Sequence, residues 1–331
     1  MRSVLVRCFS LAFIAVLRSS LICCFMSFSI RTGSMACVKK ILLSLFGAGL
    51  TTMAWGYSEL SRFRLKHETL EVFEPGFLDG GEFTILHISD LHMLPAHSRK
   101  QQWVAALSAL NPDLVVNTGD NLSSADAVPA VLRALGPLLS KPGLFVFGTN
   151  DYFGPRPVNP VGYLLGKKRK VSDQALPWEG MRAAFLEHGW RDATHQRHEF
   201  KVGKVRIAAA GVDDPHHHLD NYSLVAGDPN PDADLTIALT HSPEPRVLAQ
   251  FEADGYDLSL SGHTHGGQLC LPFERAIVTN CGIDRTRANG LHRFGKMWMH
   301  VTNGLGTSPY VPLRIFCRPS ATLIHLVEKA N

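Results

Sequence analysis

Two histidines, His263 and His265, stand two residues apart among glycines in the last third of the chain. They follow an apolar run, Tyr256–Leu260, that is typical of a buried strand. In an extended backbone the side chains at i and i+2 point to the same side, so both imidazoles can converge on one point. Imidazole is the commonest protein metal ligand near neutral pH. The pair indicates a metal site if other ligands lie nearby. Without such ligands, the two residues are ordinary loop histidines.

Four further apolar runs also end in a residue that can bind a metal. Aspartate and asparagine often cap helices or form turns at such positions, and a single histidine is often buried in a core. Five endings of this kind in one chain are hard to attribute to capping alone. The candidate ligands, in chain order, are Asp90, His92, Asp120, Asn150, His241, His263 and His265.

The candidate ligands offer carboxylate, amide and imidazole groups but no thiolate. This mixture favours Mn, Fe or Zn at a catalytic centre over a structural zinc site. The cysteines of the globular part, Cys270, Cys281 and Cys317, also lack the paired spacing of a zinc-binding motif. Because there are more donors than one ion needs, we expect two divalent metal ions that share one aspartate.

The elements that must position these residues alternate along the chain from Phe83 onward. Short apolar runs alternate with amphipathic stretches, which predicts an α/β domain whose strands are covered by helices. In such sheets, ligands bind outside the carboxyl ends of the strands. The predicted strands are residues 83–88, 114–118, 144–147, 205–210, 235–240 and 258–261, and the predicted helices are residues 98–110, 125–139 and 245–253.

In their order, the motifs at these strand ends resemble the calcineurin-like metallophosphoesterase superfamily. They are D-x-H at Asp90, G-D at Asp120, G-x-N-D at Asn150, T-H-S-P at His241 and G-H-T-H-G-G-Q at His263. The tail, Gly304–Ser308 followed by Pro312–Arg314, resembles the membrane-associated bacterial branch. The resemblance covers residues 58–331 and implies a four-layer α/β/β/α sandwich.

The resemblance also implies two ligand sets with Asp120 as the bridge. The first metal is expected on Asp90, His92, Asp120 and His265, and the second on Asp120, an asparagine after the third strand, His241 and His263.

One motif, Gly148–Asp151, departs from the family. The usual third block is G-N-H-[DE], whereas this chain has Thr149 at the ligand position and Asn150 at the histidine position. An amide oxygen coordinates better than a hydroxyl, so we expect Asn150 to be the ligand, with Asp151 as an alternative ligand or proton carrier. The missing histidine removes acid assistance typically worth ~10²–10⁴-fold.

The expected reaction is hydrolysis of a phosphomonoester or phosphodiester by attack of a metal-bridging hydroxide. The catalytic group comprises Asp120, His241, Asn150 and Asp151. One alternative is a pyrophosphohydrolase acting on a lipid-linked nucleotide such as UDP-2,3-diacylglucosamine. Another is a catalytically weak metal-binding sensor or interaction protein, which the missing histidine suggests.

Two further residues are candidates for substrate contact. Asn121 follows the bridging aspartate, and His217 lies in a histidine triplet. Each also has a structural interpretation, since Asn121 can shape the turn and His217 can lie on a surface loop. Residues 153–200 form a basic insert that includes Lys167–Lys170, interpreted as a solvated loop or as a lip that attracts anionic lipid or phosphate.

The N-terminal residues 1–57 form a hydrophobic signal or anchor segment, with Met35 as an alternative start. Lys39 and Lys40 precede the uncharged run Ile41–Tyr57, which predicts attachment to the cell membrane. With one anchor, the positive-inside rule favours an extracytoplasmic domain, whereas insertion of the earlier run at residues 4–30 would leave it in the cytoplasm. The net charge of +4 and the lack of a basic stretch interleaved with aromatics exclude nucleic acid as a structural partner.

Overall fold

The computed structural model describes residues 34–157 and 172–330. The chain divides into two compact units, with the boundary between Trp55 and Gly56. The apolar run of residues 4–30 and the basic cluster Lys167–Lys170 lie outside the described residues.

Helix α1, Ser34–Glu59, contains the apolar run expected from the sequence. Its segment Val38–Glu59 is long and apolar enough to cross a membrane. Large apolar side chains along it, such as Leu43 and Phe46, are exposed. The helix is therefore a candidate membrane segment.

Six strands form the first sheet: β1 Arg64–Phe73, β2 Phe83–Ile88, β3 Leu114–Asn117, β4 Gly143–Phe145, β5 Arg191–Asp192 and β14 Ser320–Glu328. Their spatial order is β1-β14-β2-β3-β4-β5. Strands β2 to β5 are parallel, so the carboxyl ends of β2, β3 and β4 meet at one edge. Strand β14 is parallel to β1 and antiparallel to β2.

The second sheet also has six strands: β6 Gln196–Val202, β7 Val205–Gly211, β8 Leu235–Leu239, β9 Leu258–Ser261, β12 Gly290–Phe294 and β13 Met297–Val301. Their order is β12-β13-β9-β8-β7-β6, with β7, β8, β9 and β13 parallel. A small hairpin joins β10, Cys270–Leu271, to β11, Arg275–Ala276.

The two sheets pack face to face, and helices cover their outer faces. Val116 of β3 and Ile237 of β8 lie in the core between the sheets. Their neighbours in the chain, Val115 and Ala238, face outward to the helices, because successive side chains of a strand point to opposite faces. Helices α2 Ser98–Ala106, α3 Val128–Leu135 and α5 Trp178–Glu187 cover the first sheet, and α6 Pro245–Ala253 covers the second. The short helix α4, Thr149–Tyr152, follows β4. The predicted four-layer α/β/β/α class is confirmed.

The six predicted strands and three predicted helices are present with boundaries shifted by a few residues. The solvated-loop interpretation of residues 153–200 is wrong for its described C-terminal part. Helix α5 buries Met181 and Phe185 against the first sheet, and β5 and β6 each extend a sheet edge. These apolar side chains are spaced by four residues, a helical signal within a segment of basic composition.

Candidate metal centre

The loops after β2 and β3 run side by side and bring the first ligands together. The amide N–H of Asp90 donates to Gly119 O at 2.8 Å, and that of His92 donates to Asp120 O at 2.9 Å. Backbone hydrogen bonds between the two loops therefore continue beyond the ends of β2 and β3. They fix the distance between the Asp90–His92 motif and Asp120.

Left-handed backbone conformations concentrate at this edge. Such conformations are uncommon in residues with a side chain and persist where the surrounding structure enforces them, often at functional sites. Five of the seven predicted ligands adopt positive φ angles: Asp90 (51°), His92 (39°), Asp120 (56°), His263 (65°) and His265 (51°).

The first predicted ligand set converges. His92 Nε2 lies 4.0 Å from Asp90 Oδ1 and 3.6 Å from Asp120 Oδ2. His265 Nε2 lies 3.8 Å from Asp90 Oδ1. Asp90, His92 and His265 each offer an atom within 4.8 Å of the others, which is close enough to share one ion.

Asp120 also lies beside the second predicted set. His241 Nε2 is 3.3 Å from Asp120 Oδ2, and Asp90, Asp120 and His241 form a further group that could hold a metal. His241 Nδ1 lies 2.7 Å from Thr118 O, and because a carbonyl only accepts, that nitrogen carries the proton. Nε2, the other ring nitrogen, is thereby directed at Asp120.

The structure separates the neighbouring side chains of the third block. Asn150 Nδ2 donates to Asp120 Oδ2 at 2.6 Å. Thr149 Oγ1 instead donates to Asp214 Oδ2 at 2.6 Å. The Asp151 carboxylate accepts three backbone N–H groups, from Gly148, Asp120 and Asn121. Asn150 therefore faces the site, whereas Asp151 ties its loops together.

His263 stands at the margin of the second set. Its ring centroid lies 5.3 Å from that of His241, and its backbone N–H donates to Asp90 Oδ2 at 3.1 Å. His216, which was not among the predicted site residues, places its ring centroid 4.3 Å from that of His263. His217, the predicted substrate contact, is half-buried with its ring centroid 4.7 Å from that of His216.

Asp214 is a buried carboxylate near the site that sequence reasoning missed. It accepts hydrogen bonds from Thr149 and from the His216 backbone. It follows β7 by three residues, so the strand-end rule that found the other ligands points to it as well. Asn121 is buried, and its Oδ1 accepts from Asn117 Nδ2 at 2.8 Å, a contact that shapes the turn.

Three buried polar atoms at the centre have no hydrogen-bond partner among the residues that the structure describes: Asp90 Oδ1, His92 Nε2 and His241 Nε2. Each such atom left unsatisfied costs about 1–3 kcal/mol. Because all three belong to the two converging groups, bound cations fit this donor set.

Burial and mutual charge shift the pKa values of the site histidines in opposite directions. Burial lowers the pKa of His92 to about 4 and that of His265 well below its usual value, so both rings are neutral donors. Burial also lowers the pKa of His241, but Asp120 and Asp214 outweigh it and raise the pKa well above its usual value. The carboxylates therefore attract positive charge to this position.

Glycine allows the loops to approach one another. A Cβ on Gly148 would lie 2.2 Å from Asp120 Oδ1, and one on Gly262 would lie 2.4 Å from Asp90 Oδ2.

Arg314, fully buried, holds the tail behind the site, since its guanidinium donates to His265 O at 3.1 Å and to Gly306 O at 2.6 Å.

Comparison with known proteins gives concordant results. A family model described as calcineurin-like phosphoesterase matches residues 83–267. The uncharacterized metallophosphoesterase YkuE of Bacillus subtilis (strain 168) is 27% identical over 318 residues, covering 87% of this chain and 96% of the relative. The phosphodiesterase YaeI of Escherichia coli (strain K12) is 28% identical over 283 residues, covering 82% and 91%. A transmembrane protein with metallophosphoesterase domain from Danio rerio is 27% identical over 273 residues, covering 77% and 55%.

Proposed function

The chain belongs to the calcineurin-like phosphoesterase family, and from that premise we propose that it is a membrane-attached, dinuclear-metal phosphoesterase. The observation that carries the proposal is the convergence of buried, unpaired donor atoms from Asp90, His92 and His241 around Asp120. The similarity to a relative named as a phosphodiesterase supports a phosphodiester as the first substrate class to test.

We assign two divalent ions, Mn, Fe or Zn, to the two ligand sets. Asp90, His92 and His265 would hold the first, Asn150, His241 and His263 would hold the second, and Asp120 would serve both. When bound, the ions supply Lewis-acid activation of water and of the phosphoryl oxygens.

The protein's own groups orient the donors. The Thr118 carbonyl keeps the His241 proton on Nδ1, which leaves Nε2 free to coordinate. Asn150 donates its backbone and side-chain N–H groups to the two carboxylate oxygens of Asp120 and so fixes the plane of the bridging carboxylate. Asp151 acts through the backbone, because its oxygens are engaged by three amides of the surrounding turns.

The phosphoesterase domain spans residues 58–331, and the N-terminal segment attaches it to the membrane, with the extracytoplasmic side favoured. The apolar helix ending at Glu59 supports this attachment. Membrane attachment also makes a lipid-linked phosphoester a reasonable substrate to include in a screen. The missing third-block histidine favours the non-catalytic alternative, which the assay below tests, whereas none of the described residues favours the pyrophosphohydrolase.

The decisive experiment measures hydrolysis of bis-p-nitrophenyl phosphate with added Mn²⁺, Fe²⁺ or Zn²⁺. The wild type should turn over, whereas Asp120→Ala should fall to the uncatalysed rate. Asp232→Ala is the matched control, because Asp232 is exposed and lies in the loop before β8. Equal rates for the wild type and Asp120→Ala, or no hydrolysis by the wild type with any of the metals, would refute the proposal.

A further inference from the structure

The hairpin between β10 and β11 presents a phenylalanine to solvent. Phe273 is 93% exposed at the tip, and the apolar side chains of Leu271 and Ile277 are exposed on either side of it. Phe273 and Glu274 both have positive φ angles, 68° and 56°. An aromatic residue in the left-handed region is an outlier, and such strain tends to accumulate where a segment has a function.

The hairpin is held in place. Lys66 Nζ donates to Glu274 Oε2 at 2.6 Å, and Arg64 Nη1 lies 3.6 Å from Glu274 Oε1. Asn289 Nδ2 donates to the backbone carbonyl of Glu274 at 3.3 Å. The exposed ring of Phe273 is therefore presented by a hairpin fixed through both the side chain and the backbone of its neighbour.

A second loop lies alongside the hairpin and adds to the same surface. The N–H of Cys270 donates to Ile315 O at 2.9 Å, and that of Ile315 donates to Gln268 O at 3.0 Å. This loop exposes Tyr310 and Phe316. We call residues 271–277 and 310–316 together the two-loop surface.

The two-loop surface adjoins the last turn of α1. The N–H of Arg314 donates to Gly56 O at 3.2 Å, and Leu313 packs so closely on Gly56 that a Cβ there would lie 2.7 Å from Leu313 Cδ1. Gly56 lies near the C-terminal end of the apolar run Ile41–Tyr57. If this run crosses a bilayer, the two-loop surface therefore contacts the chain close to the point where it leaves the membrane.

We propose that the two-loop surface docks on the lipid bilayer, with Phe273 inserted at the interface between headgroups and acyl chains. Phenylalanine, tryptophan and leucine on the apolar face of membrane-surface segments are buried at this depth. The exposed side chain of Arg275 belongs to the surface, and that of Arg285 lies beside it, since Arg285 Nη1 donates to Ile277 O at 3.4 Å. Glu274 is paired with Lys66, so Arg275 and Arg285 outnumber the remaining carboxylate of Asp284, and this excess of positive charge suits anionic lipids.

Docking at this surface would bring the metal centre to the membrane. Gln268 Nε2 donates to Val311 O and Leu313 O of the second loop, and His265 lies three residues before Gln268. The proposal rests on the proposed membrane attachment and not on the proposed hydrolytic activity.

The test replaces Phe273 with the photoreactive analogue p-benzoylphenylalanine in the full chain, reconstituted in vesicles of phosphatidylcholine and phosphatidylglycerol. Leu224 is the matched control position, because it is a large apolar residue that is 59% exposed on the segment after β7. After irradiation, mass spectrometry should find about tenfold more lipid adduct at position 273 than at position 224. A second probe at Tyr310 should also yield lipid adducts.

Vesicle flotation of the same samples distinguishes failure of membrane attachment from failure of docking by the two-loop surface. A chain that floats but gives equal lipid adducts at positions 273 and 224 overturns docking and leaves membrane attachment intact. Adducts at position 273 with a second copy of the chain, in place of lipid, also overturn docking. A chain that does not float overturns both membrane attachment and docking.

Discussion

At the scale of single residues, the centre depends on how closely Gly148 lets the third block approach Asp120. Its φ of −108° suits any residue, so an added methyl group would act only through contact. That methyl would lie 2.2 Å from Asp120 Oδ1 and 2.8 Å from the His241 ring.

We therefore expect Gly148→Ala to displace Asp120 and His241 and to lower metal-dependent activity by about 10²-fold or more, since a shift of about 1 Å can have that effect. Bound metal, measured by elemental analysis, should fall in parallel. Gly136→Ala is the control, because a Cβ at Gly136 meets no atom within 4 Å. Wild-type metal content in Gly148→Ala would contradict the prediction.

The third-block ligand can be tested by comparing Asn150 with its neighbour. Because the Asn150 amide contacts Asp120 whereas the Thr149 hydroxyl contacts Asp214, Asn150→Ala should weaken metal affinity by about 10–100-fold. Thr149→Val should leave the affinity close to that of the wild type, at a cost of about 1 kcal/mol in the free energy of unfolding. Isothermal titration with Mn²⁺ measures both affinities. A larger loss in Thr149→Val would assign the ligand to Thr149.

At the scale of elements, the two sheets are joined by a buried histidine pair. His87 of β2 and His300 of β13 place their Nδ1 atoms 2.8 Å apart, and His87 Nε2 lies 3.0 Å from Thr118 Oγ1. Burial lowers the pKa of His87 to about 3 and that of His300 well below its usual value. The pair is therefore neutral in the folded protein.

This pair predicts acid sensitivity of the sheet packing. The unfolded chain binds a proton at His87 below about pH 6.5, whereas the folded chain does so only near pH 3. The free energy of unfolding should therefore fall by about 1.4 kcal/mol per pH unit for this group between those limits. His87→Gln should show a shallower decline in denaturant titrations of metal-free protein across this range. His188→Gln is the control, because His188 is exposed and directly follows α5. Identical slopes of unfolding free energy against pH for His87→Gln and the wild type would disprove the assignment.

At the scale of the whole molecule, the centre joins loops from both sheets, so metal binding should stabilise the complete domain. A ligand at 100 times its dissociation constant adds about 2.7 kcal/mol to the free energy of unfolding. For a domain of this size, that corresponds to a rise in Tm of roughly 5–10 °C. Thermal unfolding of the full chain before and after chelation measures the shift. In Asp120→Ala the shift should vanish, and a full shift in that variant would place the stabilising metal elsewhere.

Much of the fold and of the site could be predicted from the sequence, because both depend on local sequence patterns. Short apolar runs such as Phe83–Ile88 predict strands by their composition, and the residues just beyond them predict ligands by their type. The proximity of Asp90 and His92, which follow β2, to Asp120, which follows β3, is expected from the rule that neighbouring parallel strands end at one edge.

The tertiary structure decided what depends on contacts between distant parts of the chain. Strands β1 and β14 pair across more than 240 residues, and no local pattern encodes that partner. Thr149 and Asn150 are adjacent, and only the position of Asp214, 65 residues away, separates the two side chains. His216 likewise reaches His263 because β7 and β9 lie in one sheet with β8 between them. The sequence determined which residue types gather at the strand ends, and the packing of the two sheets determined which atoms face one another.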